Sequence, residues 1–215
     1  MNNPFRDRPQ GAFHEAGGKT AFRIWAPRLE RLELVLGDEV LPMTKGPDGF
    51  FEARAEAPPG TRYGYRVDGR TIPDPASRFQ PDGLHGLSVV VDPSFRWTDA
   101  GWKGIARNDV VLYELHVGTF TPEGTFDGVI AHLPALHDLG VTMIEIMPIA
   151  QFPGNRNWGY DGVLPYAPQN TYGGPDGLRR LVDAAHRERL GVCLDVVYNH
   201  LGPEGNYLDA FGPYF

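Results

Sequence analysis

Asp195-Val196-Val197-Tyr198-Asn199-His200 follows the apolar run Val192-Cys193-Leu194, and the reading of the fold turns on this stretch. A small apolar run reaches a carboxylate and then supplies Tyr, Asn and His within five residues. That order suits the C-terminal end of a parallel strand. Such strands are covered on both faces and read as near-continuous apolar runs. Ligand-binding groups collect where they end. Val192 to Val197 is therefore read as a strand and the residues after it as a polar loop.

Upstream, Leu178, Leu181, Val182 and Ala185 recur at the spacing of one helix face, and Leu190-Gly191 closes that helix. Before it runs a long loop, from 149 to about 174, and before that the strand Val141 to Pro148. An earlier helix starts at Thr125, an N-cap residue type, and places Phe126, Val129, Ile130 and Leu133 on one side. Pro134 predicts that this helix is bent or in two parts. Val110 to Leu115 is a further apolar strand, read as covered on both faces. The pattern is βαβαβ. It fits either an open doubly wound sheet or the first three units of a (β/α)8 barrel. No glycine fingerprint for a dinucleotide follows the first strand, which weakens the open sheet.

The first part of the chain has a different period. Thr20–Trp25, Arg31–Leu36, Phe50–Ala55 and Thr61–Val67 are short alternating runs, separated by turn formers such as Gly37-Asp38, Pro58-Pro59-Gly60 and Asp68-Gly69. That is the signature of an antiparallel β-sandwich. Residues 1–91 are assigned to it, 92–108 to a linker and 109–215 to the β/α part. The Asp-, Pro- and Gly-rich stretch after Asp68 is expected to be irregular, since each proline restricts its predecessor. Phe95, Trp97 and Trp102 are expected to anchor it on a domain face. Trp25, Tyr63 and Tyr65 either form a carbohydrate platform or fill the sandwich core.

The chain has 215 residues, 41% of them hydrophobic, enough for a sizeable core. Its 27 acidic residues outnumber its 20 basic ones, for a formal charge of -7. That argues against nucleic acid, which needs a basic surface. The single cysteine, Cys193, excludes an internal disulfide and reads as a small buried hydrophobe. The opening MNNPFRDRPQ is polar with no apolar signal core, and no uninterrupted apolar stretch could span a bilayer. The expectation is a cytoplasmic protein without a membrane partner.

A neutral sugar presents hydroxyls at its edge and an apolar C–H face. Trp158 and Tyr160 supply rings, and Asp161, Asp195, Asn199 and His200 supply polar edges. Each has a second reading: Asp195 as a brace of the strand ends, His200 as a satisfied structural histidine, Asn199 as a turn cap or cation ligand, Trp158 as packing. Glu114 and His116 are read as supports of the strand ends. No HExxH, Cys cluster, GxSxG or P-loop is present.

These segments resemble the α-amylase superfamily, glycoside hydrolase family 13. Asp195–His200 matches its first signature region, and Ile144-Glu145-Ile146-Met147-Pro148 is similar to its second barrel strand. Asn157–Gly162 and Tyr166–Gly174 resemble a loop of its multi-domain members. Together with Tyr113–Phe126, they resemble its trehalose-releasing branch.

The resemblance implies an early-set, carbohydrate-binding-module-48-like sandwich ahead of a (β/α)8 barrel of which only three units are present. It implies a retaining hydrolase cutting the α-1,4 bond next to the trehalose unit of malto-oligosyltrehalose or a related α-glucan. Glycogen branching or debranching enzymes and a non-catalytic glucan-binding module are the alternatives. By the resemblance, Tyr160 stacks under the sugar before the scissile bond, His200 bonds a hydroxyl of that sugar, and Asp195 holds the site's architecture. Asn199 falls at the family's calcium-ligand position, although many multi-domain members lack the rest of that site. No metal and no cofactor is expected. The nucleophile, the acid/base and the third carboxylate are expected beyond residue 215, in the part of the polypeptide that completes the barrel, so these residues alone are expected to be inactive.

Overall fold

A computed structural model describes residues 9–15 and 17–214. Residues 1–8, the polar opening on which the argument against a leader mostly rests, lie outside the described residues. The chain forms two compact units, one from residues up to Pro93 together with those from Glu204, the other Ser94–Pro203. Among the described residues no helix is long and apolar enough to cross a membrane.

In the first unit the strands are β1 (Gly11–His14), β2 (Lys19–Trp25), β3 (Glu33–Leu36), β4 (Glu39–Pro42), β5 (Thr44–Lys45), β6 (Phe50–Glu56), β7 (Arg62–Val67), β8 (Arg70–Ile72) and β9 (Ser88–Val89). They lie in two antiparallel sheets, ordered β1-β2-β6-β5 and β4-β3-β7-β8, with β9 paired to β7. Alternation along each strand sends Phe22, Ile24, Leu34, Phe51, Tyr63 and Tyr65 into one shared core. Tyr63 and Tyr65 are 1% and 0% exposed, so they are core residues and not a sugar platform. On the other face of β2, Arg23 lies 3.4 Å over the Phe50 ring and bonds Glu52 across the strand pair at 2.8 Å.

Phe22, Tyr63, Tyr65 and Phe211 form a chain of edge-on ring contacts at 5.0, 6.2 and 5.9 Å. Phe211 is fully buried in this core. Tyr214 donates to the Trp25 carbonyl at 2.6 Å and meets the Trp25 ring edge-on at 5.2 Å. Residues from Glu204 therefore belong with the first unit, whereas the sequence reading places them with the β/α part. A short segment without periodicity gives no sign of which core will take its aromatics.

The stretch after Asp68 is irregular yet built around a buried polar cluster. Asp74 accepts from the Tyr63 hydroxyl and from the Ala76 amide, both at 2.8 Å, and its own amide donates to Ser88 Oγ at 3.0 Å. Ser88 and Ser77 donate to Gln80 Oε1 at 2.6 and 3.0 Å. Asp74, Ser77, Gln80 and Ser88 are all fully buried, a placement that buried polar groups hold only when their bonds are satisfied. Burial pushes the Asp74 carboxyl from 3.8 up to about 6, against the opposing pull of its Ala76 and Tyr63 bonds.

The second unit holds β10 (Leu112–Leu115), β11 (Met143–Ile146), β12 (Ala150–Gln151), β13 (Leu164–Pro168) and β14 (Gly191–Leu194). Its helices are α1 (Val117–Phe120), α2 (Phe126–Ile130), α3 (Leu133–Asp138) and α4 (Gly174–Arg187). β10, β11 and β14 form a parallel sheet in that order, and β12 and β13 pair antiparallel within the expected loop. Thr125 caps α2 by accepting the Gly128 amide at 3.1 Å. The expected bend is a break into α2 and α3, with Pro134 in the first turn of α3, where its missing N–H costs nothing.

Leu115, Ile144 and Ile146 pack with Phe126, Val129, Leu133 and Leu181. The opposite sheet face carries Leu112, Glu114, Met143, Glu145 and Cys193, aligned by the register. Leu112 is 48% exposed, so the covering expected on both faces is present on only one among the described residues. Among the described residues β10 is an edge strand paired only with β11, and the helices cover a single side. The segment before the sheet is tied to α4: Thr98 donates through its amide and hydroxyl to Asp183 at 2.7 and 2.8 Å. Trp102 stacks on His186 at 4.5 Å, as an anchoring residue should, whereas Trp97 is 45% exposed.

Two outcomes follow for the first unit. Phe211→Ala leaves a cavity beside Tyr65 and should cost about 3–5 kcal/mol in urea denaturation. Between pH 3.8 and about 6 folded Asp74 holds a proton that the unfolded chain releases. Stability should therefore fall as pH rises through that window, and Asp74→Asn should flatten that component of a midpoint-versus-pH curve.

Candidate functional site

Parallel pairing brings three strand exits to one edge. The ladder runs one step past each strand, with Met147 N–H on the Leu115 carbonyl at 3.0 Å and Asp195 N–H on that of Ile146 at 2.9 Å. His116, Met147 and Asp195 thus leave the sheet side by side. β14 stops at Leu194, shorter than the strand read to Val197.

Two buried glutamines shape the loop after β11. Gln151 accepts the Asn170 amide at 2.9 Å and donates to Asn170 Oδ1 at 3.2 Å. Gln169 accepts the Phe152 amide and donates to the Gly154 carbonyl, both at 3.0 Å. Within this frame the turn at 157–162 is held by Asn157. Its Oδ1 accepts the Gly159 amide at 2.7 Å, and its Nδ2 donates to Asp161 at 2.9 Å. Gly159 has φ +95°, and a Cβ there would lie 2.0 Å from the Pro148 carbonyl oxygen. Only glycine allows this turn to sit against the exit of β11. Trp158 and Tyr160 are left 63% and 43% exposed.

The Tyr160 hydroxyl donates to Asp195 at 3.0 Å. That bond, partial loss of water, and the charges of Asp195, Glu114 and Glu145 hold its phenol above the ordinary range, so it remains a donor. His200 Nε2 lies 2.8 Å from the Tyr160 carbonyl, and its Nδ1 lies 2.9 Å from Asn199 Nδ2. A carbonyl only accepts, so Nε2 carries the proton and Nδ1 accepts from the Asn199 amide. Gly202 N–H bonds the Gly162 carbonyl at 3.0 Å, and a Cβ at Gly202 would stand 2.3 Å from the Asp161 carbonyl oxygen.

Tyr160, His200, Asp195 and Asn199 are therefore linked through hydrogen bonds across two loops, whereas Asp161 bonds Asn157 within the turn that also carries Trp158. Both ring nitrogens of His200 are engaged within the protein, Nε2 with the Tyr160 carbonyl and Nδ1 with the Asn199 side chain. An apolar cleft of about 190 Å3 adjoins the network, with Asp195 as the charged residue of its lining beside Pro148, Tyr166, Leu178 and Val196. Among the described residues no group of three or more His, Cys, Asp and Glu could hold a metal ion.

Sequence reasoning left out Tyr172, Gln151 and Gln169, and read His116 only as a support. His116 Nε2 meets the Asn157 carbonyl at 2.8 Å and the Tyr172 hydroxyl at 3.1 Å. Burial pushes the Tyr172 phenol up to about 12. Gln169 and Tyr172 lie within the Tyr166–Gly174 segment, yet a buried amide or ring carries no local signal of which loop it will hold.

The alpha amylase catalytic-domain family model matches residues 78–211. The chain belongs to the alpha-amylase family. Within that family it is 53% identical over 197 residues to the malto-oligosyltrehalose trehalohydrolase of Saccharolobus solfataricus, covering 90% of this chain and 35% of that protein. It is 50% identical to the enzyme of the same name from Deinococcus radiodurans, over 92% of this chain and 33% of that one. A crystal structure from Salmonella typhimurium, provisionally described as an alpha amylase, superposes with a TM-score of 0.92 at 49% identity. It is matched over 95% of this chain and 35% of its own. This alpha-amylase-family chain thus spans about a third of the length of the curated relatives it matches.

Gly159→Ala should displace the whole turn, because the alanine needs both the left-handed region and the space of the Pro148 carbonyl. The expected cost is about 1–3 kcal/mol of strain, read as a lowered melting temperature with faster amide exchange over residues 157–162.

Proposed function

We propose that the protein carrying this chain is a malto-oligosyltrehalose trehalohydrolase that cuts the α-1,4 bond next to the terminal trehalose unit and releases trehalose. The observation that carries the reading is the linked set Tyr160, Asp195, Asn199 and His200 at the C-terminal edge of the parallel sheet, the edge where β/α barrels keep their chemistry. Identities of 50–53% to enzymes of that name support it. The two antiparallel sheets around one core support an early-set, carbohydrate-binding-module-48-like sandwich, here assigned to residues 1–91 with a linker at 92–108. The sequential β10-β11-β14 sheet supports the first three units of a (β/α)8 barrel, here placed over 109–203 because the residues from Glu204 pack with the first unit. We place the protein in the cytoplasm.

In this reading the described residues bind sugar and do not break bonds. The Tyr160 ring lies under the sugar before the scissile bond, with Asp195 fixing its hydroxyl. His200 fixes the Tyr160 backbone, and it bonds a sugar hydroxyl by exchanging either the Tyr160 carbonyl or the Asn199 amide. Trp158, Asp161 and Asn199 complete the wall. Retaining hydrolysis uses a carboxylate nucleophile and a carboxylic acid roughly 5 Å apart. Both belong to later strand ends in the remainder of the polypeptide, which completes the barrel. The acid protonates the glycosidic oxygen while the carboxylate attacks the anomeric carbon, and the same acid then activates water.

Product analysis of the complete protein on malto-oligosyltrehalose should show free trehalose. New α-1,6 branches, or hydrolysis of existing ones, would reject the reading. Tyr160→Ala should lower kcat/KM by about a hundredfold, which corresponds to nearly 3 kcal/mol of lost transition-state binding. Tyr160→Phe, which keeps the ring, should lose much less.

A further inference from the structure

We infer that His116 is a positioning residue of the sugar site, holding the Trp158 turn in its binding position from the exit of the neighbouring strand. This rests on the proposed binding role of Trp158 and Tyr160. His116 is the first residue after β10 and N-caps α1, so its backbone is set by two elements. Its ring reaches across to a loop forty residues away in sequence. Nε2 lies 2.8 Å from the Asn157 carbonyl and must carry the proton there, since a carbonyl cannot donate. Nδ1 lies 3.0 Å from Thr119 Oγ1, a hydroxyl that hydrogen-bonds it from the first turn of α1. The Tyr172 hydroxyl, 3.1 Å from Nε2, closes the third side, and Tyr172 is itself only 2% exposed.

The imidazole is thus clamped on both nitrogens while it holds the loop. The space around it is equally restricted. A Cβ added at Gly118 would lie 3.0 Å from both His116 Cε1 and the Tyr172 hydroxyl oxygen, so nothing larger than glycine lets the three residues close up without movement. The grip falls on the residue just before Trp158, and the Trp158 ring meets the His116 ring edge-on at 5.1 Å and 62°. Asn157 passes the restraint on, through its side chain, to the Gly159 amide and to Asp161. One histidine therefore holds the start of the turn by its backbone and the exposed indole by its ring. A 63% exposed tryptophan has few contacts of its own to keep it upright. By contrast Tyr160 is held independently, through Asp195 and His200. Loss of His116 should consequently weaken binding on the Trp158 side and leave the reacting-sugar side in place.

The test compares the complete protein with His116→Ala and His116→Gln. Glutamine reaches the Asn157 carbonyl with an amide N–H but lacks the ring. His116→Ala should raise KM for malto-oligosyltrehalose about tenfold with kcat changed less than about threefold, the pattern of lost uniform binding. His116→Gln should recover most of that loss. In the absence of substrate, His116→Ala should speed amide exchange at Gly159 about tenfold, and His116→Gln should restore protection. Unchanged Gly159 exchange in His116→Ala overturns the inference, as does a glutamine variant no better than alanine in both readouts. A loss confined to kcat overturns it too. If the wild-type complete protein releases no trehalose, the proposed activity fails, and the exchange measurement still decides whether His116 positions the turn.

Discussion

The parallel pairing of β10, β11 and β14 is the constraint on which the site depends. Its register sets Leu115, Ile146 and Leu194 level with one another. The next ladder bonds carry that alignment to Met147 and Asp195. Three loops distant in sequence therefore start from one edge within a few ångströms of a common line. Because the helices cover the face of Leu115, Ile144 and Ile146, the carboxylates of Glu114 and Glu145 lie together on the opposite face. Their charges then reach the Tyr160 phenol. An exchange of the two faces would bury acids under helices and empty the site, which is why register and function are one question here.

Backbone contact does the second part of the work. The 157–162 turn approaches Pro148 and Ala150 so closely that Gly159 and Gly162 have no room for a side chain. The loop after β14 approaches Asp161 as closely at Gly202. Side-chain bonds such as Tyr160 to Asp195 then fine-tune two loops whose backbones are already bonded at Gly162 and Gly202. Hydrogen bonds hold Tyr160 at its hydroxyl and at its carbonyl and leave it 43% exposed, as the proposed stacking under a sugar requires.

The first unit solves a different problem. Its aromatic core continues through Tyr63 and Tyr65 into Phe211, and its polar core centres on Asp74. Tyr63 belongs to both, with its ring in the apolar stack and its hydroxyl on Asp74. Such a shared residue couples the β7 sheet to the irregular stretch 73–88 without further secondary structure. It also explains how a proline-rich segment stays ordered, since its buried Asp74, Ser77, Gln80 and Ser88 all have partners inside the unit.

Local sequence determined a good deal: the alternating runs of β2, β3, β6 and β7, the parallel strands, the Thr125 cap and the break near Pro134, while the resemblance of Asp195–His200 and Asn157–Gly162 to a known family pointed to the site. These are local properties, written in hydrophobic spacing and in residues that tolerate only certain dihedral angles. Tertiary structure alone decided the rest. Tyr63 and Tyr65 turn inward because the facing sheet needs them, and Phe211 enters a core more than a hundred residues back along the chain. His116 becomes a clamp because β10 lies next to β11, whose loop returns Asn157 to it. A side chain's local pattern states what it can bond. Which partner stands within reach follows from strand order and register, and those are settled only when the whole sheet forms.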